Sequence, residues 1–186
     1  MTAEPQPLTT LTFEEYLKFE DLSEERHEFV GGTVFVMSGG TEPHDLVAGA
    51  VYRRLFDAFR AKGCRTFVFN RKLKIGESVY YPDVFVTCAE TTDRQYETDA
   101  AWVVEVLSES TQLNDRREKA AAYALLPSLR GYLIMDPDWE YVRMGQHGPE
   151  GWAWYQYGPR HTIDLDGVTL DLGDLFAEVR EMRVSE

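Results

Sequence analysis

The sequence contains two cysteines, Cys64 and Cys88, among its 186 residues. Two cysteines cannot form the disulfide framework that staples small secreted proteins, and neither lies at the spacing of a paired metal-binding motif. We therefore expect two packed free thiols, which is typical of a protein in a reducing compartment.

Long apolar runs are also missing. No stretch approaches the roughly 20 residues that a membrane-spanning helix requires, and residues 1–10 lack the basic and apolar segments of a signal peptide. The sequence has no internal repeat, low-complexity segment or linker. These absences predict a cytoplasmic protein that does not enter the membrane and that folds as one domain over residues 1–186.

Positive charge is scarce. The sequence has 19 Lys and Arg residues against 32 Asp and Glu residues, which gives a net charge of −13. This balance argues against nucleic acid as a partner. The exception is a basic band over residues 53–74, where eight basic residues accompany a single acid. The band fits either salt-sensitive binding to a polyanion or an ordinary solvated surface. The first alternative predicts contacts to DNA from Arg53, Arg54, Arg71, Lys72 and Lys74.

Hydrophobic patterning predicts a mixed α/β protein. A capping box at Thr12–Glu15 predicts a helix over residues 13–20, and Gly31-Gly32 predicts the turn of a β-hairpin. Further helices are expected from about His44 to Lys62 and over residues 114–126. Strands are expected over residues 65–70, 72–75, 79–87, 101–107 and 131–136, and a C-terminal β-meander with a short helix follows from Trp139.

Two acids lie inside otherwise apolar predicted strands: Asp83, after Tyr81-Pro82, and Glu105, within Val103–Leu107. A buried carboxylate costs several kcal/mol unless it is paired or holds a cation. Two carboxylates on adjacent strands repel one another and jointly favour a hard divalent metal. The alternatives are a solvated edge residue for Asp83 and a structural ion pair for Glu105.

The helix that follows Glu105 carries Asp115 and Lys119. They are four residues apart and share a face of that helix. The loop before the helix is short, so this face can look back at the two acids.

These residues belong to a longer pattern over residues 12–140. It comprises Glu28, Gly32, His44, Pro82-Asp83, Glu105 within Val103–Ser108, Asp115, Lys119, Tyr123 and Gly131–Ile134. The pattern resembles the Uma-two family of restriction endonucleases, within the PD-(D/E)XK nuclease superfamily. The resemblance implies a restriction-endonuclease-like fold, in which helices flank a central mixed sheet.

The resemblance also implies a site for Mg²⁺ (or Mn²⁺), held by Asp83, Glu105 and the main-chain carbonyl of Val106. The superfamily places a lysine two residues after the glutamate, and here that position holds Leu107. Lys119 would stand in for this lysine.

Two upstream residues are further candidates. His44 would orient a phosphate or a water molecule; the alternative is an ordinary histidine at a helix start. Glu28 would supply another acid to the metal, or it would simply balance Arg26. We interpret His27, His147 and His161 as surface histidines, since none has a partner at ligand spacing.

The sequence therefore predicts a metal-dependent DNA endonuclease. A non-catalytic nucleic-acid-binding or assembly module with the same fold is the main alternative, favoured by the net charge and by Leu107. Metal-dependent hydrolysis of a different substrate is the third.

The segment Trp139–Tyr157 is unusually aromatic. Aromatic residues at strand alternation belong to a core or a subunit interface more often than to a surface that stacks nucleobases. We expect a homodimer in which Trp152 or Trp154 is partly buried between subunits.

Overall fold

A computed structural model gives the fold. It describes residues 7–37, 39–90, 93–108, 113–148 and 151–183, without the side chains of residues 113–117. The elements are, in chain order, β1 (Pro7–Thr10), α1 (Phe13–Leu22), β2 (His27–Val30), β3 (Thr33–Val36), α2 (Glu42–Arg60), β4 (Arg65–Val68), β5 (Lys72–Ile75), β6 (Ser78–Tyr80), β7 (Val84–Thr87), β8 (Tyr96–Glu97), β9 (Trp102–Val106), α3 (Leu113–Tyr123), β10 (Gly131–Asp136), β11 (Tyr141–Gly148), β12 (Gly151–Tyr157), β13 (Thr162–Leu165), β14 (Val168–Asp171) and α4 (Leu172–Met182).

Most strands belong to two six-stranded sheets. The first sheet has the order β1-β3-β2-β6-β5-β8, and the second has the order β12-β11-β10-β9-β7-β4. The second sheet is mixed, because β9 and β10 run parallel while its other neighbours are antiparallel. Strands β13 and β14 form a separate hairpin.

The core has three parts. One face of the second sheet packs against α2, α4 and the β13–β14 hairpin around Val51, Val104 and Phe176. The opposite face packs against α3 and part of the first sheet around Tyr123 and Tyr132. A smaller cluster joins α1 to the first sheet. The second sheet is therefore covered on both faces, which accounts for the nearly continuous apolar sequence of β9.

Local sequence signals predicted several elements well. In the capping box, Thr12 accepts a hydrogen bond from the Glu15 main chain while the Glu15 carboxylate accepts one from Thr12 N–H. The Gly31-Gly32 hairpin joins β2 to β3, and both glycines have positive φ. The pattern did not predict β1 or the two-residue β8.

The predicted strand over residues 79–87 is wrong. It is two strands, because β6 belongs to the first sheet and β7 to the second. Pro82 between them has no N–H to donate to a ladder, and the chain changes sheets there. Asp83 therefore lies in a bend immediately before β7 rather than inside a strand.

The expectation of two free thiols is also wrong, since Cys64 and Cys88 form a disulfide. They extend the antiparallel ladder of β4 and β7, in which Arg65 already faces Thr87. Cysteines that face each other across two strands are close enough to bond. Since the thiols are not free, they no longer indicate a reducing compartment. Among the described residues, no helix is both long and apolar enough to cross a membrane.

We expect reduction of this disulfide to destabilise the protein by about 3 kcal/mol, because the bond closes a loop between cysteines separated by 24 positions and so restricts the unfolded chain. Urea unfolding with and without dithiothreitol measures the difference. The double variant Cys64→Ser/Cys88→Ser is the control and should give the same curve in both buffers. Identical wild-type curves, with both thiols shown to be reduced, would contradict the prediction.

Candidate functional site

The pairing of β7 with β9 brings Asp83 and Glu105 together. Val84 faces Val104 in this antiparallel pair, and one further step of the same register places Asp83 opposite Glu105. Asp83 Oδ2 accepts a hydrogen bond of 2.7 Å from the main-chain N–H of Val106. The Asp83 carboxylate is thereby fixed against β9, beside Glu105.

The alternation of side chains along β9 explains why a glutamate interrupts its apolar run. Val104 and Val106 point into the core beneath α2. Val103 and Leu107 point to the opposite face, toward α3. Glu105 has the same parity as Val103 and Leu107, so it faces α3.

Helix α3 presents a cation and a hydroxyl group to Glu105. Lys119 and Tyr123 are four residues apart and share a helical face. Lys119 Nζ lies 3.8 Å from Glu105 Oε1, and the Tyr123 hydroxyl donates a hydrogen bond of 2.5 Å to the same oxygen. The ammonium group therefore lies beside Glu105, on the side of the site that α3 covers.

Glu28 joins the site from the first sheet. Its Oε1 lies 2.8 Å from Lys119 Nζ, a shorter distance than the one to Glu105. Arg26 instead donates to the carbonyl of Phe69 and to Asn70 Oδ1. Glu28 is thus balanced by Lys119 rather than by Arg26, and the site draws side chains from both sheets.

His44, near the start of α2, contacts the same oxygen of Asp83 that accepts the Val106 hydrogen bond. Its Nε2 lies 3.2 Å from Asp83 Oδ2, and its Nδ1 lies 2.9 Å from Asp45 Oδ1. The preceding glycine makes this arrangement possible, because a Cβ on Gly40 would lie 2.5 Å from both His44 Nδ1 and Asp45 Oδ1. The glycine-rich loop therefore leaves the space that the imidazole occupies.

The two aspartates set the protonation of His44. Burial alone would lower the pKa of the imidazole, but hydrogen bonds and charge attraction from Asp83 and Asp45 outweigh burial and raise the pKa to about 9. His44 is therefore a cation at neutral pH.

The pKa of Glu105 is also raised, but for a different reason. Burial raises the pKa of its carboxyl group to about 8, and the negative charges of Asp83 and Glu28 add to the rise. Lys119 and the Tyr123 hydroxyl oppose it. Without a further cation, burial therefore favours the protonated form of Glu105 more than it would for an exposed carboxyl group.

The donor set can be compared with what a metal requires. Asp83 and Glu105 each use one oxygen in the contacts above, and their other oxygens, Asp83 Oδ1 and Glu105 Oε2, accept no hydrogen bond from the described residues. In this part of the chain, no three His, Cys, Asp or Glu side chains are placed to hold a metal by themselves. Mg²⁺ commonly binds to one or two carboxylates and keeps several waters, so the chemistry of two neighbouring carboxylates suits this ion.

A buried network beside the site corrects the interpretation of His27 as a surface histidine. His27 is 2% exposed, and its Nδ1 lies 3.0 Å from Glu20 Oε2. The Tyr81 hydroxyl donates to Glu20 Oε1 at 2.6 Å. The network ties α1 to the bend that carries Asp83. Spacing did not reveal it, because Glu20 lies seven residues from His27, in another element.

Much of the basic band is used within the chain. Arg53 and Arg54 both pair with Glu178, and Arg71 pairs with the buried Glu97. The ammonium group of Lys72 lies over the ring of Tyr81, and that of Lys74 over the ring of Phe13. These residues therefore have partners within the chain, and their contacts to DNA stay a prediction.

Tyr123 was part of the sequence pattern but had no predicted role. Tyr123 could have been identified from its position one helical turn after Lys119, because residues four apart lie on the same face of a helix. The side chain of Asp115 lies outside the described residues. Val106, predicted to contribute its carbonyl, is tied to the site through its N–H.

We expect the ion pair of His44 to stabilise the metal-free protein in a pH-dependent way. The folded pKa of about 9 exceeds the ordinary value of about 6.5. Its contribution is therefore complete below about pH 6.5 and is lost as the pH rises through about 9. The unfolding free energies of wild type and His44→Gln should differ most near pH 6 and converge above pH 9. Imidazole NMR gives the pKa directly, and the control Asp83→Asn should lower it.

The comparisons place this geometry in a known family. Residues 13–180 match the model of the Uma2 (Uma-two) family, described as "Putative restriction endonuclease". One uncharacterised protein of Synechocystis sp. is 30% identical over 170 residues, covering 88% of this chain and 89% of its own length. A second from the same organism is 32% identical over 132 residues, covering 68% and 75%.

A solved structure shares the fold. The crystal structure of a putative nuclease belonging to DUF820 from Anabaena variabilis matches 91% of this chain and 99% of its own chain, with a TM-score of 0.75 and 15% identity. The predicted mixed α/β, restriction-endonuclease-like fold is confirmed. By the match over residues 13–180, the chain belongs to the Uma-two family of putative restriction endonucleases.

Proposed function

We propose that this protein is a metal-dependent endonuclease that hydrolyses phosphodiester bonds in DNA. One observation carries the proposal: the β7–β9 register sets Asp83 opposite Glu105, and Lys119 Nζ lies 3.8 Å from Glu105 Oε1. Two acids and a lysine in one partly buried cluster are suited to phosphoryl chemistry. Membership of a nuclease family supports the reaction class.

Asp83 and Glu105 would hold the cation, Mg²⁺ or Mn²⁺, together with the main-chain carbonyl of Val106. The bound ion would polarise the scissile phosphate and lower the pKa of a water molecule. The Val106 N–H and the Tyr123 hydroxyl each occupy one carboxylate oxygen. Asp83 Oδ1 and Glu105 Oε2 would then be the carboxylate oxygens that bind the ion.

The two cations of the site have separate tasks in this proposal. Lys119, as an ammonium group, would orient the attacking water and offset negative charge in the transition state. His44, protonated and held by Asp83 and Asp45, orients a phosphate oxygen or a water molecule. Glu28 holds Lys119 in place through the contact of 2.8 Å.

The alternative is a binding or assembly module that keeps the fold without turnover. The closer approach of Lys119 to Glu28 than to Glu105 is the observation that favours it. Under this alternative Lys119 is a structural ion-pair partner and the chain does not cut DNA.

We expect the protein to nick supercoiled plasmid only when Mg²⁺ or Mn²⁺ is present. Asp83→Asn and Glu105→Gln should abolish nicking, and Lys119→Gln should slow it by about 10²-fold, because each removes a metal ligand or transition-state charge. Gel analysis of the nicked form measures the rate. The matched control is Glu118→Gln, an exposed neighbour on the same helix that should leave the rate unchanged.

Thermal melts separate metal binding from chemistry. Saturating Mg²⁺ should raise the melting temperature of wild type but not of Asp83→Asn, since a ligand that binds only the native state stabilises it. Plasmid that stays intact despite a Mg²⁺ shift would favour the non-catalytic module. Absence of any shift would exclude the metal site.

We also propose that the protein is a homodimer, joined through strand β12. This strand lies at the edge of the second sheet, and none of its seven residues is charged. Natural proteins usually protect such an edge with charge, proline or a bulge. Pairing of two copies would cover it without bringing like charges together.

Sedimentation at micromolar concentration should therefore give twice the chain mass of 21.4 kDa. Ala153→Lys in β12 should shift the population toward monomer, because a charge on each strand opposes edge pairing. Thr169→Lys, an exposed position on β14, is the control. A wild-type monomer would refute the dimer.

A further inference from the structure

The face of the second sheet that carries Glu105 continues beyond the site. Register pairs Glu105 with Ile134, Ile134 with Arg143, and Arg143 with Gln156 across four successive strands. Residues paired in this way point to the same face. Ile134 is buried, and Arg143 lies two strands beyond Glu105, about 10 Å away at roughly 4.8 Å per strand.

Arg143 is an exposed cation that pairs with no carboxylate among the described residues. Other arginines of the chain are neutralised, for example Arg54 by Glu178 and Arg130 by Asp166. The guanidinium carbon of Arg143 lies 5.2 Å from the centre of the Trp154 ring. In a protein of net charge −13, this is a positive group held over an aromatic surface and left available to an anion.

Trp154 is 41% exposed, yet its ring is held in place. Gly145 lies directly across from it, and a Cβ there would approach the rings of Trp152 and Trp154 to 3.0 Å. Tyr132 meets the Trp154 ring edge-on, with the ring centres 6.1 Å apart. The indole is therefore packed at its edges by the sheet, has the Arg143 guanidinium group over its ring, and is otherwise exposed to solvent.

We propose that Arg143 and Trp154 form a nucleotide subsite beside the metal site. Trp154 stacks on an unpaired base, and Arg143 binds a phosphate of the same single-stranded DNA segment. Stacking on aromatic side chains and contact of arginine with phosphate together bind single strands without reading sequence. This inference rests on the proposed function, since it assigns the substrate strand a path across the face that carries Glu105.

The nucleotide fits the patch in both charge and shape. In the dimer proposed above, a second copy pairs with the main-chain edge of β12, whereas Arg143 and Trp154 project from the face of the sheet. A nucleotide offers both the phosphate for Arg143 and the planar ring for Trp154. A base inside a duplex is already stacked on both sides, so an exposed indole selects an unpaired base.

The test measures anisotropy of a fluorescein-labelled single-stranded oligonucleotide in the Asp83→Asn background, without metal, so that no cleavage occurs. Adding Arg143→Gln or Trp154→Leu should weaken binding by about tenfold each. Trp154→Phe should retain most of the affinity. Tyr155→Leu, which changes a similarly exposed aromatic on the opposite face, should bind like the background, as should Arg180→Gln on α4.

The results separate this inference from the proposed function. Weaker binding in Arg143→Gln and Trp154→Leu supports the subsite, even if wild type fails to nick plasmid. The subsite is overturned if these variants bind like the background, if the controls lose as much affinity, or if the background binds no single strand. A sedimentation change on Trp154→Leu would make the patch a subunit contact and would also overturn it.

Discussion

The hydrogen bond from Val106 N–H to Asp83 Oδ2 is the contact on which the site depends. At the end of the β7–β9 ladder, the Asp83 side chain accepts the hydrogen bond from β9. The main chain passes from one sheet to the other just before this point, at Pro82. The bond fixes the Asp83 carboxylate beside Glu105 and leaves its second oxygen free. The Tyr123 hydroxyl does the same for Glu105, so each acid is oriented by one donor.

Electrostatics explain the other residues of the site. Glu28, Asp83 and Glu105 place three acids in one partly buried cluster, and two cations, Lys119 and His44, offset them. The two cations do not overcome the effect of burial, which raises the pKa of Glu105. A divalent ion at the free oxygens would remove this cost by favouring the ionised form of Glu105.

Sequence reasoning succeeded where the cause was local and failed where it depended on which strands become neighbours. Glu105 was recognisable because a charge inside an apolar strand needs a partner, and Lys119 because helical spacing sets its face. The bond between Cys64 and Cys88 could not be predicted, since it depends on the register of β4 against β7. Local charge counting likewise missed that Glu178, distant in sequence, neutralises Arg53 and Arg54.

The space beside Gly40 has a consequence for sequence tolerance. This residue is exposed and belongs to a loop, so it would ordinarily accept almost any replacement. Even the methyl group of alanine, however, would collide with the imidazole of His44 and the carboxylate of Asp45. In a saturation-mutagenesis experiment that selects for activity, Gly40 would therefore be as restricted as a residue of the site, although it has no functional group of its own.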